Sequence, residues 1–207
     1  HTHTYAPIRV RIYMCGWGRE NAQRMWWTLL HNALDSCRGD PSSRFMQLAT
    51  LRITPQGVGT PANRTVVFRG FAGNPGGDEA LTFTTDGRSA KCRELEAQPT
   101  AEVCWYLSAS REQFRIRGPV SLCKESDGES AYSELRSQVF LQYSQEALRT
   151  QFPFPEEEEF DRDRTLGVFV LGVLIPEEVD YVNLRTAEHR VWKRLDGQWR
   201  DELVVFP

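Results

Sequence analysis

Arg64-Thr65-Val66-Val67-Phe68-Arg69, a glycine-rich turn, and then Leu81-Thr82-Phe83-Thr84-Thr85-Asp86-Gly87-Arg88-Ser89-Ala90-Lys91 decide how this chain is read. Both runs alternate in the manner of β-strands, and the second feeds the start of a helix. If the two strands pair, Arg64, the Thr84 and Thr85 hydroxyls, Ser89 and Lys91 converge. Those are the side chains a phosphate needs: arginine offers a rigid fork, lysine a point charge, and the hydroxyls further donors. Ser89 has the character of an N-cap, which would add backbone amides at a helix N-terminus.

The same alternation extends outward. Residues 45–53 read as a strand closed by Thr54-Pro55-Gln56-Gly57, and 63–71 and 80–86 follow. A short helix over 89–96 stops before Pro99. In 101–108 Val103, Trp105 and Leu107 share a face, and in 112–122 Phe114, Ile116 and Val120 do. Helices are expected over 21–37, with Met25/Trp26, Leu29/Leu30, Ala33/Leu34 and Cys37 at helical spacing, and over 131–150. Residues 168–175, 179–184, 189–195 and 199–206 are further strands. The expectation is a mainly β chain with flanking helices, arranged as a small barrel. It is expected to form one domain over 1–207, with 1–20 an N-terminal extension lacking a clear pattern.

The 207 residues carry a formal charge of −3, so a polyanion such as DNA is not the expected partner. No apolar run reaches membrane-spanning length. Cys15, Cys37, Cys92, Cys104 and Cys123 are odd in number and lack a CxxC pair. That argues against a disulfide framework or a zinc site, and for an intracellular compartment, cytoplasm or organelle lumen. The chain starts at His1, which fits removal of a preceding targeting segment. His1-x-His3 has no third ligand near it, so no metal is expected. The acidic run 156–159 reads as a solvated loop. No Ser/His/Asp triad, HExxH, GxGxxG or GxxxxGK[ST] is present, against hydrolase, zinc-protease, Rossmann and nucleotide-hydrolase readings.

Taken together, Arg64–Arg69, the Phe83-Thr-Thr-Asp…Ser89-x-Lys91 segment, Gln113 and Glu188-His189-Arg190-x-x-x-Arg194 resemble the pyridoxamine 5′-phosphate oxidase family, most of all its oxidase-like FMN-binding branch. The likeness runs over about 45–120 and returns at about 168–207. It implies an FMN-binding split β-barrel, a homodimer with FMN at the subunit interface, and oxidoreductase chemistry on a small molecule. By the same resemblance Arg64 and Lys91 hold the FMN phosphate, with Thr84, Thr85, Ser89 and Arg88 beside it. The backbone of Thr65, Val66 and Val67, together with Arg69, runs along the flavin, and Gln113 and Arg194 contact it. Arg190 and Trp192 fall where the family grips its substrate.

The chain departs from the family pattern on the substrate side. Ala90 stands where an arginine precedes the phosphate lysine, with Arg88 two residues earlier as a substitute. The family's Arg-x-His pair reads Arg190-Val191-Trp192, and its substrate-phosphate Tyr/Arg/Ser set is not recognisable in 131–150. Three functions remain open: an FMN-dependent oxidoreductase, an FMN-binding subunit or flavin carrier without catalysis, and a split barrel holding haem or another planar ligand.

Overall fold

The computed structural model describes residues 11–13, 19–73, 79–154 and 160–205. Its strands are β1 (Arg11–Tyr13), β2 (Phe45–Ile53), β3 (Gly59–Gly73), β4 (Glu79–Asp86), β5 (Thr100–Leu107), β6 (Glu112–Cys123), β7 (Phe169–Leu174), β8 (Glu178–Asn183), β9 (Glu188–Leu195) and β10 (Gln198–Val205). Its helices are α1 (Arg19–Ser36), α2 (Ala90–Ala97), α3 (Ser133–Leu141), α4 (Gln145–Gln151) and α5 (Arg162–Val168). The expected class, mainly β with flanking helices, is what the chain adopts. The chain divides into two compact units, one of residues 44–105 and 116–177, the other of 1–43, 106–115 and 178–207.

In the first unit the strands run β5-β2-β3-β4-β7-β6, and β6 closes back on β5. The ring is a six-stranded barrel, in which β3 pairs with β2 through residues 59–67 and with β4 through 68–73. Alternate residues fill it: Met46, Leu48, Val66, Phe68, Phe83, Val103, Trp105 and Ile116 are all buried. The Phe68 and Trp105 rings meet at 4.8 Å, tilted by 53°. The β3–β4 register slips between Phe68 and Gly70, so Arg69 is the extra residue of a β-bulge. Gly70 takes φ +120 there, which favours glycine.

A second core of the same unit packs α3 and α4 over β4 and β7, through Tyr132, Val139, Phe140, Tyr143, Leu148, Phe152 and Phe169. Here the single helix expected over 131–150 is two. Ser144 ends the first by capping the second, its Oγ accepting from the Ala147 amide at 3.2 Å. The sequence reading also missed α5, a seven-residue helix whose cap, Asp161, accepts from the amides of Asp163 and Arg164 at 2.9 and 3.0 Å.

The second unit is an antiparallel meander of β8, β9 and β10, extended by β1, with residues 112–115 of β6 beside β8. α1 buries Trp26, Leu30 and Ala33, and Cys37 just past its end is buried too, four positions of the expected stripe; Trp26 meets Trp199 at 5.6 Å. Among the described residues no helix is long and apolar enough to cross a membrane, and no disulfide joins Cys37, Cys92, Cys104 or Cys123. The His1-x-His3 pair, Cys15 and the acidic run 156–159 lie outside the described residues.

Candidate functional site

The barrel unit gathers the phosphate candidates at the N-terminal end of α2. β3 delivers Arg64 from its buried face, β4 delivers Thr85, and the tight turn Asp86–Ser89 starts the helix that carries Lys91. The turn is held by Asp86, whose Oδ1 accepts from the Arg88 amide at 2.7 Å. Ser89 stands at the N-cap position with extended backbone, but its hydroxyl does not cap the helix. It lies 3.3 Å from the Thr85 hydroxyl, which in turn accepts from Lys91 Nζ at 2.9 Å. Thr85, Ser89 and Lys91 thus form one connected donor set.

Arg64 and Lys91 line a common hollow of about 390 Å³ with Arg52, Pro61, Ala62, Asn63 and Ala90. Burial is the largest influence on Lys91 and pulls its ammonium below the ordinary 10.5, with Arg64 pushing the same way. A desolvated ammonium beside a guanidinium and two hydroxyls is a ready acceptor of an anion. The donor set fits a phosphate monoester.

Sequence reasoning missed the group beneath this hollow. Glu94 on α2 is only 5 % exposed, yet it is ionised. Burial raises its pKa, but hydrogen bonds from Thr50, Arg52 and Arg64 outweigh that and hold it below 4.5. Thr50 Oγ1 donates to Glu94 Oε2 at 2.7 Å, and Arg52 Nε to Oε1 at 3.1 Å. Arg64 Nη2 donates to Oε2, while its Nη1 reaches Thr50 Oγ1 and, at 3.3 Å each, the carbonyls of Leu48 and Ala62. On sequence Glu94 is one more helix carboxylate. Only the pairing of β2 with β3 and the packing of α2 on β2 bring Thr50, Arg52 and Arg64 around it.

Two other candidates turn elsewhere. Arg88 bonds the Asp86 carboxylate and the Pro153 carbonyl, and lies 4.5 Å over the Phe154 ring. It therefore clamps the chain after α4 and does not line the hollow where Ala90 stands. Arg69, swung out by its bulge, donates to Thr84 Oγ1 at 3.4 Å and sits 4.8 Å over the Tyr143 ring, whose hydroxyl bonds Thr84. The Tyr143 phenol is raised, first by burial. Thr65 faces Gln47 across the strand pair at 3.1 Å, while the Val66 side chain is buried and Val67 half-buried.

The remaining candidates belong to the second unit. Gln113 is half-buried on β6. Arg190 bonds Glu188 and lies 3.7 Å from Asp201, Arg194 pairs in register with Trp199, and His189 meets Asp180 at 3.1 Å. Trp192 has no exposed surface and packs on Tyr181 at 6.2 Å.

A family model described as the pyridoxamine 5′-phosphate oxidase FMN-binding domain matches residues 23–124. Pyridoxine/pyridoxamine 5′-phosphate oxidase 2 of Arabidopsis thaliana is 34 % identical over 176 residues, covering 78 % of this chain and 84 % of that one. The pyridoxine/pyridoxamine 5′-phosphate oxidase of Azorhizobium caulinodans is 32 % identical over 110 residues, 53 % of this chain and 47 % of that enzyme. Among solved structures, a pyridoxamine 5′-phosphate oxidase-related, FMN-binding protein of Nostoc punctiforme superposes with TM-score 0.73 at 33 % identity, covering 88 % and 97 % of the two chains. PhzG of Burkholderia lata superposes with TM-score 0.65 at 18 % identity, covering 87 % of this chain and 92 % of that one, a likeness of fold.

Proposed function

The chain belongs to the pyridoxamine 5′-phosphate oxidase family, carrying its FMN-binding domain, and from that premise we propose an FMN-dependent oxidoreductase acting on a substrate other than pyridoxamine 5′-phosphate. The observation that carries the cofactor half is the hollow at the start of α2, where Arg64 and Lys91 arrive from different elements and Lys91 is tied to Thr85 and Ser89. Lys91 and Arg64 neutralise the phosphate, and the Thr85 and Ser89 hydroxyls complete its donors. When bound, FMN supplies the two-electron chemistry. The protein's part is to anchor it, orient it and exclude water.

The substrate half rests on Arg190 and Trp192. Arg190 is ion-paired to Glu188, and Trp192 is wholly buried. An indole accepts no hydrogen bond and exchanges no proton. This supports weak or absent handling of pyridoxamine phosphate. The same observation favours a second reading, an FMN-binding subunit without its own turnover.

A homodimer accompanies either reading. Phe45, Leu51 and Ile53 on one face of β2, with Val58 in the following turn, expose 47, 37, 45 and 58 % of their surface. That is apolar area suited to a second copy.

The visible spectrum of the untreated protein, with mass spectrometry of the released ligand, tests the cofactor. A flavin band and FMN are expected; a haem band would refute the reading. Steady-state oxidation of pyridoxamine phosphate tests the substrate half. A kcat/KM of about 10⁴ M⁻¹s⁻¹ or more would overturn it.

A further inference from the structure

Arg52 is the one cation at the hollow whose fork is held in place yet remains uncommitted. It leaves β2 two residues after the buried Thr50, and its Nε donates to Glu94 Oε1 at 3.1 Å. Its side chain is 61 % exposed, and among the described residues its two Nη groups bond to no other group. It lines the 390 Å³ hollow with Arg64 and Lys91, and an adjoining hollow of about 270 Å³ with Ala90, Arg93 and Glu94. Arg64 is committed differently. Its Nη1 is spent on Leu48, Thr50 and Ala62 and its Nη2 on Glu94.

We propose that Arg52 is a third cationic contact for the flavin's phosphate group, with Glu94 as the residue that positions it. The proposal rests on the reading that this hollow takes the FMN phosphate. Glu94 divides its two oxygens between the two arginines, Oε2 to Arg64 and Oε1 to Arg52. One buried carboxylate therefore sets the spacing of both guanidinia on the wall of the hollow. An otherwise mobile surface arginine is held before the ligand arrives, which lowers the entropy lost on binding. Charge agrees: three cations against one carboxylate leave an excess of two, matched to a phosphate monoester carrying about −1.5 to −2 near neutral pH. Lys91 and Arg64 alone, set against Glu94, would leave an excess of one. The tethered Nε leaves the Nη edge of the fork, the edge able to take two phosphate oxygens, available on a residue that lines the hollow.

The test uses full-length protein stripped of flavin and titrated by fluorescence with FMN and, separately, with riboflavin, which lacks the phosphate. Arg52→Ala should weaken FMN about tenfold and leave riboflavin unchanged. Arg52→Lys should recover part of the loss, and the salt dependence of FMN binding should flatten in Arg52→Ala. Wild-type FMN affinity in Arg52→Ala would make Arg52 a surface ion pair only and overturn the proposal. An equal loss for FMN and riboflavin would assign it a structural role and overturn it as well. If the unmutated protein binds the two flavins equally, the phosphate reading beneath the proposal fails and takes the proposal with it. Arg52→Gln, which keeps the length and hydrogen bonding of a polar side chain, repeats the test should the alanine variant fold poorly.

Discussion

Replacing Arg64 by alanine should damage two properties that a second mutation can separate. The guanidinium serves the hollow and also compensates Glu94, a carboxylate with 5 % of its surface exposed. Removing one partner of a buried ion pair costs about 3–5 kcal/mol when nothing else holds the survivor. Here Thr50 and Arg52 still donate to Glu94, so the expected loss of stability is about 2–3 kcal/mol. FMN binding should lose a charge-assisted contact, about 1.5–3 kcal/mol, or roughly tenfold to a hundredfold in affinity. In Arg64→Ala/Glu94→Gln the buried charge is gone, so stability should return to within about 1 kcal/mol of the original, while FMN affinity stays low. Urea unfolding of the flavin-free proteins reads the first quantity and fluorescence titration the second. An Arg64→Ala protein as stable as the parent would refute the pairing with Glu94. A double mutant with parental FMN affinity would refute the role of Arg64 at the phosphate.

Further expectations follow from the same geometry. Burial lowers the Lys91 pKa below 10.5 and a bound phosphate favours the ammonium, so FMN binding takes up a proton and weakens as pH rises through that lowered value; an FMN affinity independent of pH from 7 to 10.5 would contradict this. Glu94 has a depressed pKa, so its contribution to stability is present above about pH 4.5 and is lost as the pH falls below it; acid unfolding should shift in Glu94→Gln. Gly118→Ala should cost at least about 3 kcal/mol, because a Cβ there would lie 1.8 Å from the Ile175 carbonyl oxygen where β6 and the end of β7 are bonded backbone to backbone; an unchanged unfolding midpoint would show that the barrel is looser than described. The chain should run as a dimer by light scattering at micromolar concentration, and charged residues at Leu51 and Ile53 should split it; a parent that is already a monomer removes the claim.

Strands were the most legible part of this chain. In 101–108 and 112–122 the alternation names the buried face beforehand, Val103, Trp105 and Leu107 in one and Phe114, Ile116 and Val120 in the other, because a barrel wall imposes period two. The helix over 131–150 misled because its apolar stripe continues across Ser144, and stripe periodicity does not register a serine that bonds the next turn's amide. α5 stayed hidden because seven residues are too few for a periodic signal. At the site, Arg64, Thr85, Ser89 and Lys91 were legible as one chemistry at close spacing. Glu94, Thr50 and Arg52 were not, since their meaning comes from contacts 42 and 44 residues apart in sequence. Arg88 shows the converse: it stands two residues from the phosphate lysine's neighbour in sequence, while its side chain lies on the Asp86 carboxylate and the Phe154 ring.

The central claim is that the phosphate of FMN is anchored in the hollow at the start of α2. The crystal structure of the FMN-loaded protein tests it most directly. The account predicts phosphate oxygens at about 2.7–2.9 Å from Lys91 Nζ and the Arg64 guanidinium, with the Thr85 and Ser89 hydroxyls completing the shell. A flavin whose phosphate lies away from Arg64 and Lys91, leaving Arg64 on Glu94 alone, would contradict it.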